Sequence, residues 1–233
     1  MNELPINPYD SEEITPPFSA EWDAKRRVAA AIRRLSEVLV TSTPPVEELH
    51  RIADTLEQTA ESHANYPRLF GRIAFVEAGG HGNFAQLGHE LNALEGRSNP
   101  VALPLNIVID NGIARGTVKA GWAYEGPPGG IHGGFVAAIF DQFMGVTQQI
   151  GGQPGMTGTL SVRYLVRTPI DVELRLKGWV ENIERRKTFV KAEMRAGDTL
   201  TATCEGVFIR PRDGTWKSRA KTEPAPGKGS GTG

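Results

Sequence analysis

The pattern of apolar and polar positions divides the chain into a helical N-terminal part and a later part dominated by strands. Apolar residues recur at helical spacing from Ser19 to Val40, with Ser19 as the N-cap, and a second helix is predicted from Val46 to about His63. Because Thr43-Pro44-Pro45 makes a short connection, these two helices are expected to form an antiparallel hairpin. Residues 65–100 are rich in glycine and predict a loop-rich connector.

From residue 101 to residue 212 the pattern predicts two strands, one long apolar helix and four further strands. The first two strands flank Asn111-Gly112, a pair that favours the positive φ angles of a tight hairpin turn. The helix ends near Ile150, and its apolar residues cover almost every angular position, so we expect it to be buried nearly all round. The last four segments alternate with period 2, and their connections are too short for crossover helices.

These elements predict an α+β fold in which one curved, mainly antiparallel sheet wraps around one long central helix, with an N-terminal helical extension. Such a sheet has open edges, and pairing with a second copy would hide them, so we expect at least a dimer. The expected organisation is a disordered N-terminus, a helical hairpin, a connector, the sheet domain and a disordered tail. Their respective boundaries are residues 1–18, 19–64, 65–100, 101–212 and 213–233.

Charge and composition exclude several classes of function. The 26 basic and 27 acidic side chains give a net charge of −1, which excludes a strongly basic nucleic-acid footprint across the whole chain. Cys204 is the only cysteine, so neither an intramolecular disulfide nor a thiolate metal cage can form. The N-terminus lacks a secretory pattern, and the longest apolar run, Phe135 to Phe140, is too short to cross a bilayer. We therefore expect a cytoplasmic protein with no membrane insertion.

Two features of the long helix are candidates for chemistry. Asp141 lies between Phe140 and Phe143, and a carboxylate in a buried helix needs hydrogen-bond partners or a solvent-filled pocket, whether its role is structural or functional. The glycine-rich start of the helix, Gly130 to Gly134, leaves backbone N–H groups unshielded where the helix dipole is positive. Such a terminus can hold an anion or an oxyanion, although a simple loop-to-helix turn has the same composition.

The spacing of these two features sets a geometric condition. His132 and Asp141 are nine residues apart, which on one helix is about 13 Å of axial rise. That distance is too long for one small reacting group to touch both. If both act in one site, the helix start must come from one subunit and the Asp from its partner, so that a symmetric dimer forms two equal sites.

Two weaker signals lie on the strands. Thr157 opens the strand after the helix, where its hydroxyl could point back at the helix, although Thr is an ordinary strand residue. Arg163 and Arg167 lie on one strand, and Arg185-Arg186-Lys187 lies at a later turn. Basic side chains so placed can bind phosphate, although charge runs at turns are usually only solvated.

Several segments taken together closely resemble the hotdog-fold acyl-CoA thioesterases. Within these, the match is to the phenylacetyl-CoA-thioesterase-like branch, and especially to its relatives that hydrolyse medium- and long-chain fatty acyl-CoA. The resemblance covers about residues 105–211, and its combination of motifs is specific although no single motif is. The matching residues are Gly126–Gly134, Asp141, Gly145, Met156–Tyr164 and Arg167–Pro169.

The resemblance implies a hotdog fold and hydrolysis of a fatty or aryl acyl-CoA to free acid and CoA, with no metal or redox cofactor. Asp141 is similar to the catalytic carboxylate, which acts as general base on water or as nucleophile. Gly133 is similar to the oxyanion-hole donor, with His132 shaping that turn or binding substrate and Gly134 binding substrate. Thr157 is similar to the hydroxyl that positions the attacking water or the carboxylate.

Other assignments from the resemblance are looser. Arg163 and the turn of Arg185, Arg186 and Lys187 correspond to a region that meets CoA, and the assembly is expected to be a homodimer or a dimer of dimers. Many relatives have an Asn six residues before the His, where this chain has Gly126.

Two alternatives share this fold. A non-catalytic acyl-CoA-binding or regulatory dimer needs neither Asp141 nor Thr157. A hotdog hydratase would place its Asp and His in one chain for acid–base work, which the spacing here does not do.

Overall fold

The computed structural model describes residues 17–212, which form five α-helices and six β-strands. Residues 1–16 and 213–233, for which the sequence predicts disorder, lie outside the described residues. The helices are α1 (Ala20–Thr41), α2 (Val46–Ala64), α3 (Gly71–Ala78), α4 (Phe84–Leu91) and α5 (Gly133–Thr147). The strands are β1 (Asn106–Asp110), β2 (Ile113–Lys119), β3 (Met156–Tyr164), β4 (Glu173–Glu184), β5 (Lys187–Ala196) and β6 (Thr199–Ile209).

The two N-terminal helices are present with nearly the predicted bounds. The side chain of Ser19 accepts a hydrogen bond from the Trp22 N–H, which confirms the predicted N-cap of α1. Helix α2 begins directly after Pro45. No residue of α2 is buried, so the packing of the two helices as a hairpin stays a prediction.

The segment 65–100 is not mainly loop, because it contains α3 and α4. A capping box starts α4: the Asn83 side chain accepts from the Ala85 and Gln86 N–H groups, and the Gln86 side chain accepts from the Asn83 N–H. Each helix has eight residues, which is too few for a periodic pattern to stand out among the glycines.

The six strands form one sheet in the order β1-β2-β4-β5-β6-β3, and every ladder is antiparallel. Asn111 and Gly112 have φ angles of 50° and 76°, as the predicted hairpin turn between β1 and β2 requires. Strand β3 is reached only after α5 and lies at one edge, next to β6. The predicted antiparallel sheet is confirmed.

Helix α5 packs across one face of this sheet, and glycines in the strands let it approach closely. A Cβ atom built on Gly178 would lie 2.7 Å from the ring of Phe143, and one on Gly116 would lie 3.0 Å from the same ring. These glycines therefore make room for the Phe143 ring on the inner face of the helix. The α+β fold with one central helix against a curved sheet is confirmed.

The expectation that α5 is buried nearly all round is wrong for a single chain. One face is buried against the sheet, whereas Gly134, Phe135 and Asp141 on the opposite face are exposed. The reason is that six strands of one chain cover only one side of the helix. The buried residues are Val136, Ile139, Phe140, Phe143, Met144, Val146 and Thr147.

Helix α1 is anchored to the connector by buried side chains near its N-terminal end. Trp22 is fully buried, and its indole N–H donates to the His81 carbonyl at 2.9 Å. Arg26 forms an ion pair with Glu90 of α4, whose carboxylate also accepts from the Ser98 hydroxyl at 2.6 Å. Since these charged groups are largely buried, loss of one partner would leave the other uncompensated. None of the helices in residues 17–212 combines the length and apolarity of a membrane span.

His89 is a buried titratable group in this connector. It is 8% exposed, and neither ring nitrogen has a hydrogen-bond partner among the described residues. The pKa of His89 is lowered to about 4, mainly by burial and also by the positive charges of Arg97 and Arg26, against an opposing effect of Glu90. The folded protein therefore keeps this imidazole neutral at a pH where the unfolded chain protonates it.

Acid should destabilise the fold through His89. Above pH 6.5 the imidazole is neutral in both states, whereas between pH 6.5 and 4 only the unfolded state binds the proton, so the free energy of unfolding falls as the pH falls. The contribution reaches about 2–3 kcal/mol near pH 4.5. Urea unfolding at pH 7 and 4.5 should show that His89→Gln loses this part of the acid sensitivity.

The control is His50→Gln, which changes an exposed histidine on α2. This variant should keep the acid sensitivity of the wild type. Equal acid sensitivity in wild type and His89→Gln would contradict the assignment.

Candidate active site

The N-terminus of α5 is held by a tightly bonded loop. The His132 N–H donates to the Tyr124 carbonyl and the Ile131 N–H donates to the Thr168 carbonyl, each at 2.9 Å. A Cβ atom on Gly126 would lie 2.5 Å from the His132 Cα. This close approach accounts for glycine at the position where the resembling family often has Asn, because no side chain fits there in this loop.

The backbone N–H groups at the start of α5 differ in whether they have an acceptor. His132 is the N-cap, and its Nδ1 accepts from the Gly134 N–H at 3.0 Å. The Gly133 N–H has no acceptor among residues 17–212. The Gly133 carbonyl accepts from the Tyr164 hydroxyl at 2.8 Å, which fixes the peptide on its other side. The helix therefore offers one open amide, that of Gly133, at its positive end.

Asp141 lies two helical turns further along α5, on the exposed face. The Thr157 hydroxyl donates to Asp141 Oδ1 at 2.8 Å, so the predicted contact between this strand and the helix is present. The charge of this carboxylate also affects a buried thiol. The pKa of Cys204 is raised to about 12, mainly by burial and also by the negative charge of Asp141. Cys204 is consequently a core residue without a reactive thiolate.

A β-bulge turns Thr157 toward the helix. Thr157 pairs with Phe208, which is buried under α5, but the register shifts by one residue before Thr159, which pairs with Val207. Without the extra residue, Thr157 would share the outer face with Thr159, because strand residues alternate between the two faces. Sequence periodicity alone could not have revealed this bulge.

The same parity places Arg163 away from the site. Arg163 lies four residues after Thr159, on the same outer face, and directly before Tyr164, whose hydroxyl reaches Gly133 on the helix side. Arg163 therefore projects from the opposite face of the sheet, and the structure does not bring it to α5.

The basic turn lies near the end of β3 that carries Thr157. Lys187 is paired with Ile209 of β6, and Ile209 is paired with Met156 of β3, next to Thr157. Two ladder spacings, about 10 Å, therefore separate Lys187 from the edge strand. Glu184, Arg185, Arg186, Lys187 and Ile209 line a cavity of about 680 Å³.

Two further residues shape the surroundings of Gly133: Tyr164, which the sequence analysis did not single out, and Arg167, which was predicted to lie on one strand with Arg163 but follows the end of β3. Tyr164 holds the Gly133 carbonyl, and Arg167 Nη1 donates to the Pro128 carbonyl at 2.6 Å. Both line a hollow of about 380 Å³ that reaches Gly133 and Val136. The sequence could not assign these two roles, since they depend on contacts across the fold.

The open amide and the carboxylate do not meet within one chain. Helix α5 is continuous from Gly133 to Thr147, so eight residues separate Gly133 from Asp141, or about 12 Å of axial rise. In the described part of the chain, no group of three or more His, Cys, Asp or Glu side chains is placed to hold a metal ion.

Comparison with known proteins agrees with this architecture. Residues 128–203 match the family model of the thioesterase superfamily. The chain is 32% identical over 88 residues to human acyl-coenzyme A thioesterase THEM5, covering 37% of this chain and 36% of THEM5. It is 37% identical over 90 residues to Xenopus laevis acyl-coenzyme A thioesterase THEM4, covering 37% of this chain and 40% of THEM4. The matched region thus spans little more than a third of these curated relatives.

A solved structure extends the likeness beyond the sheet domain. A thioesterase superfamily protein superposes with a TM-score of 0.68 at 30% sequence identity, covering 84% of this chain and 97% of that chain. This coverage exceeds residues 101–212 and therefore includes part of the N-terminal helices. The chain belongs to the thioesterase superfamily and has its hotdog fold.

Proposed function

We propose that the protein hydrolyses an acyl-CoA thioester to a free acid and CoA in a site shared by two subunits. The observation that carries the proposal is the open Gly133 N–H at the positive end of α5. Such an amide can stabilise the oxyanion that forms when the thioester carbonyl is attacked. The names of the curated relatives, which are acyl-coenzyme A thioesterases, support the same substrate class.

Asp141 supplies the second component. As a general base its carboxylate takes a proton from water, and the resulting hydroxide attacks the carbonyl; as a nucleophile it forms an anhydride that water then cleaves. The Thr157 hydroxyl, 2.8 Å from Oδ1, holds the carboxylate in one orientation. Thiolate is a good leaving group, so a carboxylate, a water and an oxyanion donor suffice.

The 12 Å of helix between Gly133 and Asp141 is the reason for a shared site. Edge strand β3 carries exposed apolar residues at both ends, Met156 at 55% and Tyr164 at 53% exposure, and Val166 just beyond it is 49% exposed. Pairing of this edge with a second copy would cover them and bring the open faces of two α5 helices together. Gly133 of one subunit would then face Asp141 of the other.

Replacing the carboxylate should remove most activity and leave the assembly intact. Asp141→Asn keeps the shape of an exposed side chain but cannot accept a proton or attack carbon, so kcat should fall about 10²- to 10⁴-fold. Release of the CoA thiol from acyl-CoA measures this with a thiol reagent, since buried Cys204 does not react. Light scattering should give the wild-type mass.

Thr157→Val and Thr159→Val provide a matched pair for this test. Thr157→Val loses the hydrogen bond to Asp141 and should lower kcat, whereas Thr159→Val changes the outer face and should not. If Asp141→Asn hydrolyses acyl-CoA at the wild-type rate, the mechanism is wrong. If the wild type binds acyl-CoA but does not hydrolyse it, the protein is a binding protein.

The oxyanion donor can be removed without disturbing the helix. Gly133 occupies the first helical position, where proline is favoured, and His132 before it has the extended ψ of 132° that proline requires. Gly133→Pro deletes the N–H and should lower kcat about 10²- to 10³-fold. Gly133→Ala keeps the N–H, and its Cβ would lie 3.5 Å from the Tyr164 ring, an ordinary contact, so it should stay much closer to wild type.

Mixing these variants tests whether the site is shared. In a dimer of one Gly133→Pro and one Asp141→Asn subunit, a shared arrangement leaves one site with both native groups and the other with neither. Such a mixed dimer should recover about half of the wild-type activity. Inactive mixed dimers would show that both groups act from one subunit.

The basic turn should contact the phosphates of CoA. Arg185→Gln combined with Arg186→Gln should raise KM for acyl-CoA about 3- to 10-fold and leave kcat unchanged, because exposed charge contacts contribute about 1 kcal/mol. KM for the same acyl group on N-acetylcysteamine, which has no phosphate, should not change. Arg163→Gln is the matched control on the outer face, and equal effects on both thioesters would argue against a phosphate contact.

A further inference from the structure

A groove of about 780 Å³ runs between the C-terminal half of α1 and the sheet domain. Side chains of α1 form one wall, and the segment before β1 and the first turn of α5 form the other. Volumes of about 300–1,000 Å³ and mostly apolar walls are typical of sites for small organic ligands. The apolar lining includes Ile32, Leu39, Val101, Leu103, Tyr124 and Phe135, and the charged residues that also line the groove are Arg33, Arg34, Glu37, Lys119 and Asp171.

The inner end of the groove lies at the N-terminus of α5. The Phe135 ring packs edge-to-face against Tyr124 with centroids 4.9 Å apart, and lies 6.4 Å from the His132 ring. Gly133, two residues earlier, lines the smaller hollow instead. Residues two apart on an α-helix project in nearly opposite directions. The groove and the hollow therefore flank the helix end that carries the open amide.

The wall formed by α1 is tied to this helix end. The Glu37 carboxylate accepts from the Trp122 N–H at 2.8 Å and the Ala123 N–H at 3.2 Å, in the short 3₁₀ turn before the loop. The carbonyl of Tyr124, the last residue of that turn, accepts the His132 N–H. The Glu37 side chain and the hydrogen bond between Tyr124 and His132 thus connect α1 to the residue before Gly133, the proposed oxyanion donor.

We propose that this groove binds the hydrocarbon tail of the acyl-CoA, and that α1 thereby makes the enzyme selective for long acyl chains; this rests on the proposed thioesterase function. The CoA moiety and the acyl chain leave a thioester carbonyl in different directions. With the carbonyl oxygen at Gly133, the CoA moiety follows the hollow and the acyl chain follows the groove. A hydrocarbon tail is bound by burial of apolar surface alone, and each buried methylene strengthens binding about fourfold.

Substitutions on α1 that narrow the groove test this proposal. Ile32→Trp and Leu39→Trp add bulk at positions that line it, whereas Val28→Trp and Val38→Trp add the same bulk at exposed positions of α1 outside it. The groove variants should lower kcat/KM for palmitoyl-CoA about tenfold or more and keep that for butyryl-CoA within about twofold of wild type. The control variants should change neither value.

An unchanged ratio of palmitoyl-CoA to butyryl-CoA turnover in both groove variants would overturn the proposal. A change of molecular mass by light scattering in the groove variants alone would also overturn it, because the groove would then be an interface between copies. If the wild type hydrolyses neither substrate, the proposed function fails separately. Calorimetric binding of palmitoyl-CoA then decides whether the groove binds the acyl tail. Weaker binding by Ile32→Trp and Leu39→Trp than by the wild type supports this proposal, and equal binding refutes it.

Discussion

The length of one uninterrupted helix governs how this molecule can work. An α-helix rises by a fixed amount per residue, so α5 keeps Gly133 and Asp141 about 12 Å apart along its axis whatever the rest of the fold does. A thioester carbonyl and an attacking water together span far less. The two groups can serve one reaction only across an interface, and the exposed face of α5 and the open β3 edge leave that interface available.

Around this helix, each local feature fixes one group of the proposed site. The N-cap His132 and the Tyr164 hydroxyl occupy the neighbouring polar groups, so that the Gly133 N–H is the amide left open. The bulge in β3 turns Thr157 inward, where it holds Asp141. Preorganised donors of this kind stabilise a developing charge without rearranging during the reaction, which is how a small set of groups can suffice.

The N-terminal extension adds a second layer to the thioesterase domain. Buried Trp22 and the Arg26–Glu90 ion pair anchor one end of α1 to the connector, and Glu37 ties the other end to the turn before α5. These contacts hold α1 against the domain at both ends of the helix. Helix α2, in contrast, has no buried residue, so most of its apolar side chains remain accessible in the single chain.

Local patterns in the sequence determined most of the elements, although not α3 and α4, since periodicity, the Ser19 cap and the Asn111-Gly112 turn depend only on near neighbours. The apolar neighbours of Asp141, the glycine-rich helix start and the resemblance to the thioesterases indicated Asp141, Gly133 and Thr157 as candidate site residues. Only the tertiary structure decided which side chains face the helix, because one extra residue in β3 reverses the face of Thr157 relative to Thr159, and Arg163 follows the outer face. It likewise decided the exposure of Asp141, because burial depends on which surfaces pack together and not on the helix's own composition.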